Sequence, residues 1–255
     1  MHRSRTRRFA ASSVLGAALA AALPVAPAGA DLAAQDAGAA AGIVLPARRP
    51  AGDHRAGPPE LPDRAADVRP LTLEVRIVRS PCEGRERAAH QVISRTADRV
   101  HLRFEDGDEW LFARNPVDPR RVSGLRIEHA RRTIVEHEES DLRNRLGVRG
   151  WADVLLLGLD VESLAGLEPT GRTRTIRGIR FVERLSQRAD ASVRHVWWAP
   201  EQALPHSFVV SDPAGTSRVK VERLRAGVDS ALLRAPSLRF PSYRVVDLAE
   251  YLEGR

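Results

Sequence analysis

RVHLRFEDGDEWLFAR, residues 99–114, reads as a hairpin, and a hairpin decides what kind of sheet this chain builds. Val100, Leu102 and Phe104 alternate with Arg99, His101 and Arg103, the period of a strand with one apolar face. Glu105-Asp106-Gly107-Asp108 carries an Asp-Gly turn, and EWLFAR (109–114) returns as the partner strand. A turn this short forces antiparallel pairing, because parallel strands need a crossover of about a dozen residues or more.

The same pattern extends outward. Upstream, LTLEVRIV (71–78) sets Leu71, Leu73, Val75 and Ile77 against Thr72, Glu74 and Arg76. HQVIS (90–94) follows the Ser80–Gly84 turn as a second strand. Downstream, GLRIEH (124–129) and RTIVEHE (132–138) form another hairpin. The period changes at Ser140. SDLRNRLG (140–147) and GWADVLLLGLD (150–160) have helical spacing with glycine at their ends, which predicts a pair of short helices. LEPTGR (167–172) reads as a loop. Strands resume over TRTIRGIRFVERLS (173–186), bent at Gly178, then SVRHVWWA (192–199), PHSFVVSD (205–212) and TSRVKVERL (216–224). DSALLR (229–234) is a helical turn, and VVDLAEYLEG (245–254) is a terminal strand or helix. Such short spacings predict an antiparallel meander of the α+β, mostly β class, not βαβ units.

The first residues bear on location. His2, Arg3, Arg5, Arg7 and Arg8 precede an apolar run from Phe9 to Leu23, then Pro24 and Ala28-Gly29-Ala30. That order is a cleavable export signal over 1–30, with the mature protein in the periplasm or secreted. The run is too short and alanine-rich for a membrane span. Residues 31–69 are rich in Ala, Pro and Gly without periodicity and are expected to form a disordered spacer, leaving 70–255 as a single domain. Without the four leader arginines, the formal charge falls from +7 to +3. The remaining basic residues are spread out, so nucleic acid is not an expected partner. Cys82 is the one cysteine, so no intrachain disulfide can form.

Chemistry-bearing motifs are sparse. No GxSxG elbow, HExxH pair or glycine-rich phosphate loop is present. His129, His137, Glu136, Glu138 and Glu139 suggest a metal site, but His137 and its acidic neighbours point to opposite faces of a strand. His195 and His206 flank a tight connection; a hydrolytic site would require them to converge with an acid. The expectation is no catalytic residues, no cofactor and no metal. The aromatics are more informative, because Trp197-Trp198 on one strand must face opposite sides of the sheet. A sheet apolar on both faces suits a wall around helices or around an apolar ligand. The expected lining is Val100, Leu102, Trp110, Phe112, Trp197 and Phe208.

In the second half, PTG (169–171) precedes IRGIRF (176–181), then VWW (196–198) runs into APEQALPHSF (199–208) and a turn at Gly215. This order resembles the periplasmic lipoprotein carriers of the LolA/LolB-like superfamily over roughly 71–245. The resemblance implies an unclosed antiparallel half-barrel with short helices across its concave face. It also implies a cavity for an apolar or amphiphilic ligand, a lipid or an acylated lipoprotein. The carriers' functional arginine and protruding leucine have no counterpart assigned in this chain. The alternative reading is a non-catalytic interaction or scaffold domain with an envelope protein as partner.

Overall fold

The computed structural model describes residues 68–159, 161–188, 191–213 and 215–253. The expected export leader and most of the expected spacer, 1–67, lie outside the described residues. Twelve strands form one sheet in the order β12-β6-β5-β4-β3-β2-β1-β11-β10-β9-β8-β7. The first six are β1 (Leu71–Pro81), β2 (Arg87–Arg95), β3 (Arg99–Phe104), β4 (Glu109–Arg114), β5 (Val122–Glu128) and β6 (Thr133–His137). The second half contributes β7 (Glu168–Ile176), β8 (Ile179–Leu185), β9 (Val193–Ala199), β10 (Leu204–Asp212), β11 (Gly215–Ala226) and β12 (Arg244–Asp247). Neighbours pair antiparallel, except that β12 runs parallel to β6. β7 and β12 are not joined, so the barrel stays open.

Alternation selects the inner face. Leu73 lies opposite Leu224 and Ile93, Ile93 opposite Leu102, and Leu102 opposite Trp110, giving one apolar row across five strands. Three short helices lie over this face: α1 (Glu139–Leu146), α2 (Trp151–Leu155) and α3 (Val161–Ala165). Gly124, beside Phe112, makes room for the first. A Cβ there would come within 2.9 Å of Leu142 Cδ2.

The outer face of β3–β6 is covered too. After β11 the chain forms a 3-10 turn (Ser230–Leu233) and the short helix α4 (Pro236–Arg239). On this face Leu111, Ile127 and Ile134 are all buried. The Arg99 guanidinium donates to the Leu233 carbonyl. Arg239 donates to Glu109 at 2.8 Å, and Glu109 also meets His101 Nε2 at 2.9 Å. The chain then adds β12 to the sheet edge and ends in α5 (Leu248–Glu253), whose Leu248 and Tyr251 pack with Val135 and Val246.

The meander is as expected, with four differences. The run 173–186 is a hairpin, not one bent strand. Arg177 and Gly178 both take positive φ, 52° and 76°, the pair that a tight hairpin turn requires. Residues 168–172 are strand rather than loop, and Thr170–Arg172 bulge out opposite Glu183. The helical insert has a third helix, α3. The C-terminus is both a strand and a helix, because the strand covers the edge of β6 and the helix covers Val135.

Candidate functional site

The register collects five of the six expected lining residues on the inner face. Val100 lies opposite Phe112 and Leu102 opposite Trp110. The Trp110 and Phe112 rings stack at 5.2 Å with 7° between planes. Phe208 lies opposite Val219 and Val196, and Val219 opposite Ile77, which extends the wall across the far half. All five are buried in one cluster. Trp197 is a correction. Val196 and Trp198 share the face of Phe208, so Trp197 points to the other side, opposite Glu183 and Ser207. Trp198, fully buried, occupies the inner position expected of its neighbour.

The helices fill the concavity. Leu142, Leu156, Leu159 and Leu164 are fully buried against the wall. Two arginines of the inner face tie this segment down. Arg95, fully buried, donates to the Leu155 carbonyl at 3.1 Å and the Ala203 carbonyl at 3.0 Å, and also to the Gln202 carbonyl. Leu155 ends α2, while Gln202 and Ala203 end the 3-10 turn Pro200–Gln202, so two helical C-termini converge on one cation. Among the described residues no carboxylate pairs with this guanidinium, and burial pulls its pKa down to about 9. At the other end, Arg184 donates to the Leu167 carbonyl through Nε at 3.0 Å and Nη2 at 2.7 Å. Sequence reasoning missed both arginines. An arginine at a strand end reads as solvated, and only its parity with Leu71 or Val196 puts it inside.

His137 also faces inward, 4.7 Å from the Trp110 ring, and neither ring nitrogen has a hydrogen-bond partner. Burial depresses its pKa to about 4; the positive charges of Arg126 and Arg145 add to that, against Asp141. His206 is likewise held down at about 4, by burial and then by Arg174 and Lys220. Both native histidines bind fewer protons than their unfolded counterparts between these values and about 6.5. Stability is therefore complete above about pH 6.5 and is lost as pH falls toward 4. Urea unfolding at pH 7.5, 6 and 4.5 should show the midpoint falling through that window. The double variant His137→Gln/His206→Gln should flatten most of the fall.

The remaining polar candidates sit elsewhere. His129 meets Glu109 at 3.4 Å and Tyr243 Oη at 2.8 Å, far from a three-ligand arrangement with His137. Among the described residues no group of three His, Cys, Asp or Glu side chains is placed to hold a metal ion. On the outer face, His195 meets Glu183 at 3.1 Å, while His206 takes Arg174 Nη2 at 2.7 Å and lies edge-on to Phe181. Each histidine has its own partner. The Thr170 hydroxyl donates directly to Glu183 at 2.8 Å, so no histidine is set to take its proton. Cys82 is exposed.

No protein-family model and no curated protein matches the chain. Solved structures do resemble it. A LolA superfamily protein from Nitrosomonas europaea aligns at 10% identity and TM-score 0.36, covering 68% of this chain and 95% of its own. A putative outer membrane lipoprotein-sorting protein domain from Vibrio parahaemolyticus aligns at 10% identity and TM-score 0.34, covering 66% and 94%. MucB, from the Pseudomonas aeruginosa MucA/MucB complex, aligns at 14% identity and TM-score 0.37, covering 67% of this chain and 58% of MucB. Likeness at this level carries no ligand or partner across to this chain. The half-barrel with helices on its concave face rests on the strand order and register above.

Proposed function

We propose that this chain is an exported, non-enzymatic binding protein of the bacterial envelope that takes an apolar or amphiphilic ligand on its concave face. The ligand class is a lipid or the acyl chain of an acylated protein. One observation carries the reading. The wall formed by Val100, Leu102, Trp110, Phe112 and Phe208 is covered by three short helices that Arg95 and Arg184 hold at their two ends through main-chain carbonyls. A ligand chain that displaces the leucines of this lid exchanges one set of apolar contacts for another, so the net cost is small. The leader at 1–30 supports an envelope location. Among the described residues no helix is long and apolar enough to cross a membrane.

Native mass spectrometry with lipid extraction tests this on protein purified from the envelope fraction without detergent. The expected result is a stoichiometric lipid, or its uptake after incubation with phospholipid or acylated peptide. Trp197→Ala should keep that binding, because its ring lies on the other face. A mass unchanged under all these conditions would favour the second reading, an envelope interaction domain with a solid core. Complete burial of Leu142, Leu156, Leu159 and Leu164 supports that alternative.

A further inference from the structure

The outer face of the sheet is covered over β3–β6 but open over β1, β11, β10 and β9. There the register draws one row: His90 opposite Arg76, Arg76 opposite Lys220, Lys220 opposite Ser207, and Ser207 opposite Trp197. Arg218 stands in the next row, opposite Val78. Arg76, Arg218 and Lys220 are exposed. Two cations directly across a strand pair repel, and Arg76 and Lys220 are such a pair.

None of the acids of this face pairs with Arg76, Arg218 or Lys220 among the described residues. Glu74 holds Arg225 at 2.6 Å and Arg223 at 3.3 Å. Glu222 lies 3.7 Å from His90, and Glu183 is taken by Thr170 and His195. Arg76, Arg218 and Lys220 form no ion pair among the described residues. At the end of the row the Arg174 guanidinium lies 4.1 Å over the Trp197 ring, pinned by His206. From Arg76 to Trp197 is three strand spacings, about 14 Å. Three exposed cations without acid partners make a local positive patch, which attracts an anionic surface from outside.

We infer that this open outer face docks on an anionic phospholipid surface. The exposed cations stand side by side on β1 and β11, and the row ends two strands on at the half-buried indole of Trp197. Trp197 suits a membrane–water boundary, where an indole keeps its apolar body and polar edge each in a fitting medium. The reading is independent of what the concave face holds, which lies on the other side of the same strands.

Flotation of the full chain with vesicles tests it. Binding is expected to vesicles of phosphatidylglycerol with phosphatidylcholine, released by salt, and not to phosphatidylcholine alone. The charge reversal R76E/K220E removes and inverts two charges and should weaken binding about 1,000-fold; R76Q/K220Q, which leaves the strands' polarity intact, should weaken it about 30-fold. R145E on α1, away from the row, should change it less than about twofold. Three results would overturn the inference: equal binding to phosphatidylcholine vesicles, wild-type flotation of R76E/K220E, or no flotation of the wild type. Salt-sensitive binding to polyglutamate without vesicle binding would replace the membrane with an acidic protein. Lipid uptake measured on the same variants separates the two proposals, because R76E/K220E leaves the concave wall untouched.

Discussion

Trp198→Ala should lower the free energy of unfolding by about 3–5 kcal/mol. Trp197→Ala, one residue earlier, should lower it by about 1 kcal/mol, the worth of its contact with Arg174. Urea unfolding of the two variants measures the difference. Trp198 is fully buried beside Val196 and Phe208, so truncation leaves a cavity that the hydrogen-bonded strands around it cannot collapse. Its indole N–H has no hydrogen-bond partner, so the loss is one of packing. Trp198→Phe should for that reason recover most of the stability. Equal losses at 197 and 198 would mean that the register of β9 against β10 is wrong.

Arg95→Met should cost about 2–3 kcal/mol and loosen the lid in the same step. Two effects oppose each other. Methionine relieves the burial of a charge that no carboxylate balances, and that cost shows in the depressed pKa of Arg95. Against it, the carbonyls of Leu155, Gln202 and Ala203 each lose a donor in a site that water does not reach. Three buried acceptors outweigh one buried charge, and all three lie at the ends of helical turns, where carbonyls favour a cation. Arg95→Lys should not restore the wild type, because a compact ammonium cannot span the three carbonyls as a planar fork does. Hydrogen exchange at residues 151–159 should speed up in Arg95→Met more than exchange in β1 or β11. Uniform acceleration would instead make Arg95 an ordinary core residue with no special hold on the lid.

Much of the sheet was legible because strands that bury one face write the fact in alternating residues. LTLEVRIV shows its buried face, and RVHLRF with its Asp-Gly turn shows face, partner and direction. Three things were hidden, each for a physical reason. Arg177-Gly178 is not a common hairpin dipeptide, so TRTIRGIRFVERLS ran together as one strand. Trp197 and Trp198 could be assigned to opposite faces but not to particular ones. The irregularities between Pro205 and Ser207 and between Val209 and Val210 shift β10 against β9, and no local pattern records such a shift. The C-terminal cover over β3–β6 was announced only by EWLFAR. There Trp110, Leu111 and Phe112 are apolar in succession, which fits a strand covered on both faces. Of the named aromatic and aliphatic positions, five share the inner face, as parity alone predicts, whereas the buried arginines that bind the helical segment follow from no pattern at all.

The middle of the sheet joins residues from nearly opposite ends of the described chain. β1 pairs with β11, Leu71 opposite Ala226, while β2–β6 and β7–β10 are each local meanders. Local hairpins form quickly, but a strand pair separated by some 150 residues must wait for a large loop to close, so this seam sets the pace of folding. Until β11 has left the ribosome, β1 has only β2 beside it and neither half of the inner wall has its counterpart. A nascent chain of this topology stays unclosed through most of its synthesis. On the proposed export route, that delay would leave the chain unclosed while it is threaded through a translocation pore.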